Sequence, residues 1–282
     1  MSLELMYITN NPDVAYIAQK YGVDRIWIDM EYKGKDDRQK GLDSVKNHHT
    51  IEDIKRLRPI VTTSKLMVRI NPWDEESNQE IEDTINAGAD IIMLAMWKSA
   101  KEVQEFANAV DGRCKTVLLL EIKEAVECID DVLKIKGIDE IHIGLNDLHL
   151  ELHMKFMFEL LANGTVEKIC NKIKLAGIPY GFGGIARVGE GTLPAEAIIA
   201  EHYRLGSTCA ILSRSFCNTS LITDVDEIKE LFNTGVKDIR DYEKSLINKD
   251  KKFYLNNQEF VKEKVDQIVK SIELNVRNVK ER

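Results

Sequence analysis

Eight short apolar segments alternate with amphipathic stretches along most of this chain, and that alternation restricts the fold more than any other feature of the sequence. The segments are residues 5–9, 25–30, 65–70, 90–95, 116–122, 140–145, 179–183 and 208–213. Each has the length of a strand and is largely apolar, as expected of strands buried on both faces. Residues 12–20, 50–57, 74–87, 100–110, 125–133, 166–176 and 194–203 read as the helices between them. Three helix-to-strand joints repeat one device: Tyr21-Gly22-Val23-Asp24, Ala87-Gly88-Ala89-Asp90 and Ala176-Gly177-Ile178-Pro179. Each puts glycine where a helix ends in a left-handed residue and the next strand begins at once.

Strict strand–helix alternation implies a parallel sheet covered by helices. Eight units favour a closed (β/α)8 barrel, the TIM-barrel architecture, over an open doubly wound sheet. The 282 residues suit one large domain of this kind. Residues 1–223 are assigned to the barrel. Residues 224–282 are more charged and read as a helical extension, with Val261, Val265, Ile268 and Ile272 on one helix face. Part of the extension supplies the eighth barrel helix. The remainder is expected to pack across a neighbouring subunit or over a barrel end; a solvated helical tail is the alternative.

Composition narrows the function classes. A net charge of −8 with scattered Lys and Arg argues against nucleic-acid or anionic-membrane partners, which reward a basic surface. The longest apolar run, residues 91–97, is far shorter than a bilayer span, and the first residues lack a basic and apolar leader pattern. Cysteines 114, 128, 170, 209 and 217 are odd in number, widely spaced and without a C-x-x-C pair. They read as free thiols of a cytoplasmic protein.

The chemistry is expected at the strand ends. Residues two apart share a face of a strand, and several apolar faces finish in a charge. Val117 and Leu119 lead to Glu121; Ile141, Ile143 and Leu145 lead to Asp147; Met67 leads to Arg69; Trp27 leads to Asp29 and Glu31. Barrel enzymes assemble their sites at this C-terminal rim. Two carboxylates on neighbouring strands repel unless a cation lies between them, and their oxygens suit Mg²⁺ or Mn²⁺. Ordinary strand-end salt bridges, or capping of the next helix by Asp147, would account for them equally. Arg69 can hold a carboxylate or carbonyl oxygen and face a developing enolate, or it can pair with Glu31 or Glu121. The run Gly181-Phe182-Gly183-Gly184-Ile185-Ala186-Arg187 matches a dinucleotide fingerprint only formally, because no helix follows it directly. Its glycines instead allow close approach of a ligand or a strand. Arg187 and Arg214 could hold a phosphate or carboxylate in the last two loops, or make surface salt bridges.

Taken together, Ile28-Asp29-Met30-Glu31, Val68-Arg69-Ile70-Asn71-Pro72, Leu120-Glu121-Ile122 and Ile143-Gly144-Leu145-Asn146-Asp147-Leu148 resemble the HpcH/HpaI aldolase and citrate lyase family across roughly residues 3–220. The resemblance implies metal-dependent, pyruvate-type aldol chemistry. It makes Glu121 and Asp147 the ligands of Mg²⁺ or Mn²⁺, Arg69 the residue that holds the oxo-acid, and the backbone beside Asn146 a contact to its carboxylate. It also implies a homo-oligomer, often a hexamer exchanging C-terminal helices. One position departs. Where the family's oxo-acid aldolases carry the histidine base of Asp-x-Glu-His, this chain has Tyr32, and the supporting aspartate falls near Asn86. A Lys- and Asp-rich insertion, residues 33–47, then ends in His48-His49. Either the insertion returns His49 (or His48) to the site as a displaced base, or the base is lost and the protein binds its ligand or performs other enolate chemistry.

Overall fold

The structure, a computed structural model, describes residues 2–34 and 49–280. Eight parallel strands close into a barrel in sequence order: β1 (Glu4–Ile8), β2 (Arg25–Asp29), β3 (Lys65–Ile70), β4 (Ile91–Leu94), β5 (Lys115–Leu120), β6 (Glu140–Ile143), β7 (Tyr180–Ile185) and β8 (Cys209–Leu212). Closure runs through Glu4↔Cys209, Leu5↔Ala210 and Met6↔Ile211. Every strand expected from the sequence is present, with ends displaced by no more than two residues. The described helices are α1 (Pro12–Lys20), α2 (Ile51–Leu57), α3 (Ser77–Asn86), α4 (Ala100–Val110), α5 (Lys123–Glu127), α6 (Ile129–Val132), α7 (Leu145–Glu151), α8 (Glu159–Ala162), α9 (Thr165–Leu175), α10 (Ala195–Leu205), α11 (Val225–Leu246) and α12 (Lys251–Lys280). Gly22, Gly88 and Gly177 take the left-handed conformation expected at the helix ends, with φ of 92°, 102° and 74°.

Two apolar layers flank the sheet. Ile26, Ile28, Val68, Leu118, Leu120, Ile141 and Ile143 face the helices, while Met6, Trp27, Met67, Ile91, Met93, Val117, Leu119 and Cys209 fill the barrel interior. This partition corrects the face assigned to the sixth strand. The apolar residues Ile141 and Ile143 turn outward, and Glu140 and His142 turn inward. Both faces of a parallel barrel strand are buried, so polarity alone does not report which face is which. The inward charge is tolerated because Glu140 is paired at 2.6 and 2.7 Å with the two terminal nitrogens of buried Arg25, with Lys115 Nζ at 2.9 Å. Burial opposes the charge on Glu140, but the bonds from Arg25 and Lys115 hold its carboxyl down at about 2. The glycine of β7 nearest this pair is obligatory. A Cβ at Gly181 would lie 2.3 Å from Cys209 Sγ and 2.9 Å from His142 Nδ1. The Gly-rich run is therefore a strand allowing close side-chain packing inside the barrel.

The C-terminal region divides in two. Helix α11 packs on α1 and α10 and completes the helical ring, while α12 packs on α10 and α8 of its own chain. Val261 and Val265 are buried in that contact, and Asn257 Nδ2 donates to Ala197 O at 3.0 Å and Glu201 Oε1 at 2.9 Å. Among the described residues, no helix is long and apolar enough to cross a membrane.

Candidate active site

The site grows from the ends of β2, β3 and β5. Register pairs Asp29 with Arg69 across β2 and β3, and the strand alternation turns both inward. Asp29 accepts from Arg69 Nε and Nη2, each at 2.8 Å, in a bidentate fork. The remaining terminal nitrogen, Nη1, lies 3.2 Å from Glu31 Oε2 and 3.9 Å from Glu121 Oε2. The guanidinium also lies over the Trp27 ring, 5.4 Å from its centroid. Arg69 thus has both the ion pairs read as an alternative in the sequence and a place at the barrel mouth.

Glu121 follows β5 and is buried. Its Oε1 accepts from the Met96 backbone N–H at 3.2 Å. To present that N–H, Met96 adopts φ 50°, a left-handed conformation unusual for a residue with a Cβ. On the other side, a Cβ at Gly144 would meet Glu121 Cβ at 2.8 Å and Oε2 at 3.2 Å, so glycine there makes room for the carboxylate. Burial pushes the Glu121 carboxyl well above its ordinary value; Arg69 pulls it down, and the charges of Glu31 and Asp147 push it up.

Asp147 is not on a strand, as the alternation implied. It is the third residue of α7, half-buried, and approaches Glu121 because β6 ends at Ile143 and the helix starts at once. Asn146 lies beside it and is exposed. Among the described residues no three His, Cys, Asp or Glu side chains form a metal cluster. The donor set still fits a hard divalent ion. Asp29, Glu31 and Glu121 gather about one guanidinium, the charge of Asp147 acts on Glu121, and an ion of the Mg²⁺ type commonly takes one or two carboxylates.

Two polar residues hold the ends of the insertion at this rim: Asn71, which was not anticipated, and His49, which was expected to return here as a displaced base. Asn71, just past β3, accepts from the backbone N–H groups of Tyr32 and Lys33 at 3.0 and 3.1 Å, and donates to Glu80 Oε1 at 2.8 Å. It fixes the chain where the insertion departs. His49 fixes it where the insertion returns: its Nδ1 accepts from the Asp29 backbone N–H at 3.0 Å. The next residue, Thr50, caps α2 in a reciprocal box with Asp53. No local sequence signal reveals the Asn71 bonds to Tyr32 and Lys33 or the His49 bond to Asp29, because those partners are 20 to 39 residues apart. His48 and the rest of the insertion from residue 35 lie outside the described residues.

Of the remaining expected positions, Tyr32, Asn86 and Arg214 are exposed. Tyr32, in the place of the expected histidine, is 58% exposed. Asn86 ends α3 just before β4, at the opposite end of the strands, and is exposed. Arg187 donates to Phe216 O at 3.2 Å and pairs with Glu190 at 2.6 Å, tying the loops after β7 and β8 together. Arg214 is exposed beyond β8.

Comparisons with known proteins agree with this architecture. An HpcH/HpaI aldolase/citrate lyase family protein from Burkholderia cenocepacia J2315 superposes with a TM-score of 0.62 at 12% identity, covering 81% of this chain and 95% of that one. The HpcH/HpaI aldolase from Desulfitobacterium hafniense DCB-2 gives 0.58 at 18% identity, covering 81% and 93%. The citrate synthase SbnG gives 0.58 at 17% identity, covering 81% and 94%. At these identities the likeness speaks to the fold. No curated protein matches the sequence. The family model described as HpcH/HpaI aldolase/citrate lyase matches residues 4–185, more than half of the sequence. The chain belongs to the HpcH/HpaI aldolase/citrate lyase family.

Proposed function

We propose that the protein is a divalent-metal-dependent carbon–carbon lyase acting on a hydroxylated 2-oxo acid derived from pyruvate. The observation that carries this reading is the buried Glu121 carboxylate. Glu31 and Asp147 stand nearby, and the nearest cation, Arg69, is already forked by Asp29. Such a group is costly to ionise without a further positive charge. Glu121 and Asp147 would hold Mg²⁺ or Mn²⁺, which when bound polarises the 2-oxo oxygen and eases loss of the adjacent proton. Arg69 turns Nη1 toward the negative charge that develops on the oxo-acid. The backbone beside Asn146, at the start of α7, offers N–H groups to the acid's carboxylate.

His49 is a positioning group in this reading. With Nδ1 accepting from Asp29, the neutral ring bears its proton on Nε2. The ring therefore meets the site as a hydrogen-bond donor at Nε2, able to orient an oxygen of the substrate rather than to take a proton from it. The exposed Tyr32 favours a second reading, in which the site binds an oxo-acid without turnover.

The test combines thermal unfolding with proton NMR in D2O. Mg²⁺ or Mn²⁺ should raise the melting temperature of the wild-type chain but not of Glu121→Gln. Pyruvate with metal should exchange its methyl protons. Metal-dependent pyruvate binding with no exchange, and no cleavage of any hydroxy-oxo acid, would establish the second reading instead.

A further inference from the structure

Trp27 lies on the inward face of β2, two residues before Asp29, and is 2% exposed. It shares the barrel interior with Met6, Met67 and Met93. The Arg69 guanidinium carbon stands over its ring, 5.4 Å from the centroid and within the range of a cation–π contact. The indole Nε1–H, in contrast, has no hydrogen-bond partner among the described residues. A buried donor left unpaired is costly, and leucine or phenylalanine would fill this apolar layer without that cost. Tryptophan exceeds both in one property, the strength with which its ring face attracts a cation.

Among the described residues, the other holds on Arg69 are ionic. Asp29 forks the Nε and Nη2 edge, and Nη1 lies 3.2 Å from Glu31 and 3.9 Å from Glu121. In the lyase reading Glu121 also serves a divalent cation, which draws on that carboxylate and repels the guanidinium. The ionic hold at Nη1 therefore weakens when the cation is bound, and Nη1 is the atom that meets the oxo-acid in that reading. The Trp27 ring carries no net charge, and a cation on Glu121 does not compete for it. Fork and ring also act in different directions. Asp29 fixes one edge of the guanidinium, and the ring fixes its face.

Building on the lyase reading, we infer that Trp27 is a positioning residue for the oxo-acid. Its ring keeps the guanidinium plane in place, so that Nη1 holds its direction with the divalent cation present. Trp27 acts through Arg69, by the charge distribution of its ring face and not by its volume.

The test separates that charge distribution from shape. The full-length protein is prepared with a trifluorinated tryptophan in place of Trp27, since the fluorines draw charge from the ring face at nearly constant size. Pyruvate affinity is measured by calorimetry with saturating Mn²⁺, and methyl-proton exchange in D2O is followed alongside. Trp27→Leu should weaken pyruvate binding roughly tenfold and the fluorinated ring roughly threefold, as expected of a desolvated cation–π contact. Affinity for Mn²⁺ alone should stay within about twofold of wild type in both, because the ring faces Arg69 and not the carboxylates. Melting temperatures confirm folding, and the fluorinated protein carries the test if Trp27→Leu does not fold. Unchanged pyruvate affinity in the fluorinated protein overturns the inference, even with a loss in Trp27→Leu, because the ring then serves by volume alone. Weakened binding in the expected order, with no exchange in the wild-type chain, overturns the lyase reading and leaves the positioning role in place. Failure of the wild-type chain to bind pyruvate with Mn²⁺ overturns both.

Discussion

Asp29 and Arg69 face each other across β2 and β3 and join through two hydrogen bonds of 2.8 Å, so the guanidinium is fixed before any ligand arrives. Its one remaining terminal nitrogen faces Glu31 and Glu121. The fork thereby sets which edge of Arg69 can meet a substrate.

Breaking that fork should be costly. Asp29→Ala leaves a buried guanidinium without its bidentate partner, and the expected loss is on the order of 3 kcal/mol in urea unfolding. Arg69→Lys keeps the charge but not the fork and should also destabilise. A loss below about 0.5 kcal/mol in Asp29→Ala, the scale of an ordinary surface substitution, would refute a structural role for the fork.

Gly144→Ala tests the seat of Glu121. The added methyl group would press on Glu121 Cβ and Oε2, costing about 1–3 kcal/mol if the neighbours cannot yield. The same variant should show a smaller rise in melting temperature with Mn²⁺ than wild type. An equal rise would mean that the carboxylate does not depend on this close approach.

Acid should weaken the fold well above the pH of carboxylate protonation. Burial lowers His142 from its ordinary 6.5 to about 4, with Glu140 opposing and Arg25 adding to the effect. Burial lowers His202 from 6.5 to about 3, with His142 adding to it. The unfolded chain takes up these protons near pH 6.5 while the folded chain resists, so protons favour unfolding between those values. The full contribution is present above pH 6.5 and is lost as pH falls toward 4 and below, on the order of 3 kcal/mol per histidine. Unfolding free energies measured from pH 8 to 4.5 should fall steadily, and His142→Gln should flatten the slope. A flat wild-type profile over that range would sink the prediction.

Helix α12 should behave as part of its own barrel. Val265 is 1% exposed, where α12 packs on α8 and α10. Val265→Asp buries an unpaired charge and should cost about 3 kcal/mol or more. The change would be read as a lower urea midpoint. Full stability in that variant would show that the helix does not need this seat.

Most of the barrel was legible because its signal is local and repeated. Strand length, helix periodicity and the glycine joints each report their own neighbourhood, and eight repetitions leave few other folds. Glu121 and Arg69 were legible for the same reason, since strand alternation from Val117 and Met67 carries directly to them. In the sixth strand a remote contact overrides the local pattern. The sequence Glu-Ile-His-Ile invites an apolar inward face, but Arg25, 115 residues away, neutralises Glu140 inside the barrel and reverses the assignment.

The sequence by itself determined the (β/α)8 barrel and the charged C-terminal rim on which Glu121 and Arg69 stand. Only the tertiary structure decided how they are held: Asp29 forking Arg69, the Met96 N–H and Gly144 seating Glu121, Asp147 entering from a helix, and His49 closing onto β2. These are single contacts between residues remote in the chain. Such contacts depend on how strands and loops meet in space, and no local periodicity encodes that meeting.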